Sequence, residues 1–171
     1  MLTIRPARFD DADVFLALID ALADYEKLAR PDDAARARLI EDGFRRTPPR
    51  FHAYLILKHD TAIGYAITLE TYSSFLAKPT LYIEDLFLLP DARGRGVGSA
   101  VLRYLANIAL ERGCGRMEWV CLDWNRTAID FYERHGAEHL TEWRYYRLTE
   151  ERLNRLVAPE QPVRDERTKN E

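Results

Sequence analysis

The sequence predicts an α+β fold in which helices cover both faces of one mixed sheet. Three observations predict it. Two runs rich in β-branched and aromatic residues, Phe51 to Lys58 and Ile63 to Thr71, flank His59-Asp60-Thr61-Ala62, which reads as a hairpin. From Leu81 onward the pattern alternates strand, helix, strand, helix, strand. Between the first of those strands and its helix lies Arg93-Gly94-Arg95-Gly96-Val97-Gly98-Ser99, a glycine-rich junction suited to holding an anion.

The elements follow in order. Leu2 to Arg5 is a short strand closed by Pro6. Asp10 or Asp11 caps a helix whose apolar residues Val14, Leu18, Ala21, Leu22 and Tyr25 recur at helical period. A break at Ala29-Arg30-Pro31 precedes a weaker helix from about Asp32 to Asp42, stopped by Gly43. After the hairpin, Leu81 to Leu89 is a third strand, ended by Pro90. Val97, Val101, Leu105 and Ile108 form one helix face, and Gly113-Cys114-Gly115 ends it. Met117 to Leu122 predicts a buried strand, Asn125 to His135 a helix stopped by Gly136, Trp143 to Leu148 a last strand, and Glu150 to Val157 a short polar helix. Residues 1–157 then make one domain. The charged, proline-containing stretch 158–171 reads as a disordered tail.

Composition narrows the function. A chain of 171 residues, 47% apolar and 31% charged, is a single globular domain able to bury a sizeable core. Its net charge of -3, with no clustered basic field, excludes a general nucleic-acid binder and favours a cationic ligand. Cys114 and Cys121 have no C-x-x-C spacing, suit a reducing compartment, and read as packing residues. No apolar run is long enough to span a bilayer and no leader-like segment opens the chain, so the expected location is cytoplasmic, away from membranes. The four histidines lack metal-like spacing, and no metal is expected.

The glycine loop has a specific identity. Ser99 stands where a dinucleotide fingerprint wants its third glycine, and no Gly-Lys-Ser/Thr follows, so neither the Rossmann nor the Walker loop fits. Arg93-x-x-Gly96-x-Gly98 does match the Arg/Gln-x-x-Gly-x-Gly loop of GNAT acetyltransferases. Further phrases match in order: Ile4-Arg5-Pro6-Ala7, Asp24-Tyr25-Glu26, Leu39-Ile40-Glu41-Asp42-Gly43-Phe44, Tyr82-Ile83-Glu84-Asp85-Leu86-Phe87-Leu88, Asp123-Trp124-Asn125, Ala128-Ile129-Asp130-Phe131-Tyr132, Gly136-Ala137, and Trp143 with Arg147-Leu148. The chain resembles the GNAT superfamily over most of its length, and within it the spermidine/spermine and thialysine acetyltransferase branch. Glu142-Trp143-Arg144-Tyr145-Tyr146-Arg147-Leu148 is similar to the closing phrase of the bacterial and plant members.

The resemblance implies a mostly antiparallel sheet, acetyl-CoA as cosubstrate, a homodimer, and roles for particular residues. Arg93, Gly94, Arg95, Gly96, Val97, Gly98 and Ser99 would grip the pyrophosphate. Leu86, Phe87 and Leu88 would pair with the pantetheine arm, the N–H near Leu88 polarising the thioester carbonyl, and Asn125 and Ala128 would also touch the cofactor. Asn125 and Tyr132 are two helical turns apart on one face. By resemblance Tyr132 is the general acid for the CoA thiolate, and a phenol near pKa ~10 does hold a proton at neutrality. A half-buried core tyrosine beside Phe131 is the structural alternative.

Glu84 and Asp85 would handle the amine. In a regular strand they point to opposite faces, so both line one cleft only where a bulge breaks the alternation, as it does in GNAT proteins. The family implies that Glu84 takes the amine's proton, directly or through water, and that Asp85 holds a cationic substrate. A solvated strand edge is the alternative. Tyr25, Glu26, Glu118, Glu142 and Trp143 match substrate contacts of the branch, aromatic faces and carboxylates being a sound way to hold an ammonium; Glu26 equally suits a solvated helix end and Trp143 a core. Two departures, Ala92 for a common aromatic residue and Arg126-Thr127 for Glu-Pro, bear on how the adenine end is held. The expected function is acetyl transfer to a primary amine of a small diamine, polyamine or lysine-like amino acid through a ternary complex. The alternatives are a protein or drug-like amine as acceptor, or a CoA-binding sensor without turnover.

Overall fold

The computed structural model describes residues 1–158; all of the expected tail beyond Ala158 lies outside them. The chain divides into two compact units, Met1–Phe131 and one beginning at Tyr132. The first is built on a five-stranded sheet in the order β1 (Leu2–Pro6), β2 (His52–Lys58), β3 (Thr61–Ser73), β4 (Lys78–Leu88), β5 (Arg116–Glu118). Neighbours are antiparallel except β4 and β5, which run parallel because helix α3 (Val97–Glu111) carries the chain back between them. The β2–β3 hairpin turns on His59 and Asp60, both at positive φ (48° and 64°). That is the geometry a two-residue hairpin needs, and it lets β3 begin at Thr61, earlier than its apolar pattern.

Helices cover both faces. Along β2, Tyr54 and Ile56 point to one side, where α3 lays Val101, Leu105 and Ala109 on them; Ala53 and Leu55 point to the other, where α1 (Ala12–Glu26) brings Phe15 and Leu18. The strand is buried on both sides, hence its unbroken apolar run. A short 3-10 turn, Phe9–Asp11, leads into α1. Asp11 does not cap α1 with its side chain. Its carboxylate instead accepts two hydrogen bonds from Arg5, at 2.6 and 2.8 Å, and one from the Arg8 N–H at 2.7 Å, fastening β1 to the start of the helix.

Three sequence expectations are corrected. Helix α2 (Asp33–Ile40), capped by Asp32 and tied to α1 through Arg36 and Asp20, does not stop at Gly43 but continues as a π turn over Glu41–Arg45. Gly43 is there for space: a Cβ on it would meet the Phe51 ring at 2.5 Å. The strand expected over Met117 to Leu122 is only Arg116–Glu118. In the second unit α4 (Arg126–Arg134) ends and α5 (Glu150–Val157) stands where expected, but Trp143 to Leu148 forms no strand. Within residues 132–158 no strand or bridge forms, and an extended segment without a ladder partner is no strand.

Candidate active site

The sheet changes register at one residue of β4. Ile67 pairs with Asp85 and Thr68 with Ile83, so Glu84 opposes nothing on β3: it is a bulge. The extra residue inverts the alternation. Leu81 and Ile83 pack on the α3 face, and so do Leu86 and Leu88, whereas Phe87 packs on the α1 face. Asp85 is thereby delivered to the α1 face, where the Tyr65 hydroxyl donates to its Oδ2 at 3.0 Å. Regular alternation would have placed it beside Ile83, against α3.

Asp85 is largely buried, and burial pushes its carboxyl up to about 6. The Tyr65 hydrogen bond opposes that rise, while the negative fields of Glu84 and Glu26 add to it. Glu26, at the end of α1, is likewise raised by burial, and Glu84 is exposed. Beside these carboxylates stands the Tyr25 ring, 6.3 Å from Phe87 and 5.9 Å from Trp124. Acidic groups backed by aromatic faces suit an ammonium ion. Trp124 and Tyr65 had no assigned role from the sequence, because one stood inside a recognised phrase as scaffold and the other looks like any strand aromatic; only the register shift reveals Tyr65.

The residues of the glycine loop sit in different surroundings. Gly94 and Gly96 have φ of 73° and 77°, and a Cβ on either would meet nothing within 4 Å, so their backbone is open to a ligand. Gly96 is the N-cap of α3, whose first N–H groups need external partners. Gly98 lies within the first turn of α3, where a Cβ would approach the Phe131 ring at 3.2 Å. That contact leaves little room for a side chain, so Gly98 serves packing against Phe131. Val97 also packs on the α3-face core, and Ser99 follows it in the same turn. The Arg93 guanidinium is not turned toward the loop's open face: its Nε donates to the Leu88 carbonyl at 2.9 Å and its carbon lies 4.4 Å over the Tyr25 ring. An anion bound there would meet backbone N–H groups, with Arg95 as the remaining loop cation.

Asn125 caps α4, its Oδ1 accepting the Ala128 N–H at 3.3 Å. Glu118 ends β5 with its carboxylate on Arg116 Nε at 2.9 Å. Cys114 is buried as expected, but Cys121 is exposed and is no packing residue. Tyr132, Glu142 and Trp143 belong to the second unit. There the Tyr132 carbonyl accepts the His135 and Ala137 N–H groups at 2.9 and 3.1 Å, closing α4.

One more feature defines what fits. β5 pairs only with Thr80 to Tyr82, so among the described residues β4 from Ile83 to Leu88 has no strand neighbour on that side. An extended chain carrying amide groups can add there as a strand. Past its end lie the open glycines and the positive end of α3, which suit a diphosphate. The pantetheine and pyrophosphate of acetyl-CoA have that layout, and residues 86–88 with the loop would hold them.

The acetyltransferase (GNAT) family model matches residues 15–137. The thialysine N-epsilon-acetyltransferase of Bos taurus is 34% identical over 167 residues, spanning 91% of this chain and 96% of that protein. The L-ornithine N5-acetyltransferase of Arabidopsis thaliana is 43% identical over 93 residues, 54% of this chain and 41% of that protein. Among solved structures, an integron cassette protein of V. cholerae superposes with a TM-score of 0.78 at 25% identity, covering 92% of this chain and 98% of its own. Glycine loop, split sheet edge and family match agree: the chain belongs to the acetyltransferase (GNAT) family, near its thialysine and polyamine acetyltransferases, and is an acetyl-transferring enzyme of the kind that uses acetyl-CoA.

Proposed function

We propose that the enzyme acetylates one amine of a small molecule carrying a second cationic group, a diamine, polyamine or lysine-like amino acid, in a ternary complex with acetyl-CoA. One observation carries the reading: the bulge at Glu84 turns Asp85 onto the face of Glu26 and Tyr25, so that an acidic, aromatic wall flanks the open edge of β4. The fields of the three carboxylates favour a cation strongly. A monoamine has nothing to put there once its nitrogen is neutral for attack.

Acetyl-CoA supplies the activated acetyl thioester. The free amine attacks its carbonyl carbon; the N–C bond forms as the C–S bond breaks. Glu84, exposed on the bulge, takes the proton released at nitrogen, directly or through water. The N–H near Leu88 donates to the carbonyl oxygen. Tyr132, in the resemblance the general acid, returns a proton to the departing sulfur. Asp85 and Glu26 hold the substrate's other ammonium, with the Tyr25 and Trp124 rings beside it. Glu118, Glu142 and Trp143 complete the substrate contacts that the resemblance proposes.

Thiol release from acetyl-CoA, followed with putrescine, spermidine, ornithine and thialysine, tests this reading. Turnover with at least one of them at a rate well above hydrolysis is expected. Hydrolysis-level rates with all four would reject the acceptor class.

A further inference from the structure

Tyr65 sits on β3 with its side chain fully buried. Phe15 meets its ring edge-on at 5.4 Å and Phe87 lies tilted against it at 6.2 Å, so the phenol points one way. A buried hydroxyl needs an acceptor. Tyr65 pairs with Phe87 and Ile67 with Asp85, so the bond to Asp85 Oδ2 runs diagonally across the two strands. That diagonal exists only because the bulge has moved Asp85 to this face. Oδ1 accepts no hydrogen bond among the described residues, and the side chain keeps some exposure.

We propose that Tyr65 is a positioning residue for the acceptor: its buried hydroxyl holds one oxygen of Asp85 and so presents the other as an oriented anionic anchor for the substrate's distal ammonium. This rests on the reading of Asp85 as that anchor. The groups facing Asp85 are Tyr65 from β3, Glu26 from α1 and Glu84 on its own strand. The two glutamates and burial all favour a protonated Asp85, and of the four influences only the Tyr65 donor favours the carboxylate. Arg93, over the neighbouring Phe87 ring, is bonded to the Leu88 carbonyl. Removing the hydroxyl therefore frees the anchor to turn and makes it harder to ionise.

A role limited to filling the core would change stability alone. The test is the ratio of kcat/KM for putrescine to that for butylamine, measured from pH 5.5 to 9 in the wild type, Tyr65→Phe, Asp85→Asn and the double variant. The wild-type ratio is expected to fall as pH drops through about 6, where Asp85 takes a proton. Tyr65→Phe, which keeps the ring, is expected to cut the ratio about tenfold at pH 7 through putrescine KM, and to move that fall about one pH unit higher. Tyr65→Phe is expected to do nothing further to Asp85→Asn. A wild type that prefers putrescine while Tyr65→Phe keeps the same ratio and profile overturns the role of Tyr65 alone. A wild type without the preference overturns the diamine reading and this proposal with it. Should Tyr65→Phe not fold, a putrescine preference that survives Asp85→Asn overturns the anchor, and loss of preference in that variant supports it.

Discussion

The Arg93 guanidinium lies 4.4 Å over the Tyr25 ring while its Nε–H holds the Leu88 carbonyl at 2.9 Å. The residue that opens the glycine loop thus braces the Tyr25 ring and the end of β4. Arg93→Met, similar in length but without charge or donors, is expected to cost about 1–2 kcal/mol of stability and to raise acceptor KM. CoA affinity is expected to move by less than about threefold, under ~1 kcal/mol. Thermal melts and titration calorimetry check this, and a large loss of CoA binding would return the side chain to the pyrophosphate.

Gly96 and Gly98 are expected to fail for different reasons. Gly96→Val forces a β-branched residue to a φ of 77° and covers open backbone, so CoA binding is expected to weaken by about 100-fold or more. Gly98→Val presses on Phe131, and its first symptom is expected to be a stability loss of about 1–3 kcal/mol. Calorimetry beside melting curves separates the two, and equal effects on both readouts would contradict the division.

The burial of Asp85 costs the fold stability once the carboxyl ionises. Because its folded pKa is raised from 3.8 to about 6, the folded state holds the proton more tightly than the unfolded chain does. Stability is therefore lost as pH climbs from about 4 to about 6, by about 3 kcal/mol in all, and stays lost above. Asp85→Asn removes this cost, so its advantage over the wild type is expected to grow from near zero at pH 4 to about 3 kcal/mol at pH 7, while diamine turnover falls. Urea unfolding at the two pH values measures it; an advantage that does not change with pH would refute the buried-carboxylate account.

Tyr132→Phe keeps the ring and removes the proton donor. It is expected to fold, bind CoA and lose about 10²-fold to 10⁴-fold in kcat. A fall of less than about threefold would make the tyrosine structural.

What the sequence could convey was local. Glu150 to Val157 is a helix with the predicted bounds, and the hairpin at His59-Asp60 and the glycine loop stand where turn chemistry put them, because each depends on residues adjacent in the chain. The need of Gly43 and Gly98 for small size comes from Phe51 and Phe131, remote in sequence, and no local pattern carries it. The Arg93 side chain could as well reach a phosphate or a ring, and only its neighbours decide. Trp143 to Leu148 is rich in aromatic residues as strands are, yet a strand exists only with a partner. The Tyr65–Asp85 bond was invisible for a related reason: one unpaired residue inverts every face beyond it, and a bulge leaves no mark in composition.

The acidic, aromatic wall is the centre of the account, and the ratio of kcat/KM for putrescine to butylamine in the wild type, Asp85→Asn and Glu26→Gln measures it most directly. The account predicts a wild-type ratio of about ten or more at pH 7, as a charge-assisted contact should give, collapsing toward one in Asp85→Asn and partly in Glu26→Gln. A wild-type ratio near one, or a high ratio that survives both substitutions, would contradict it.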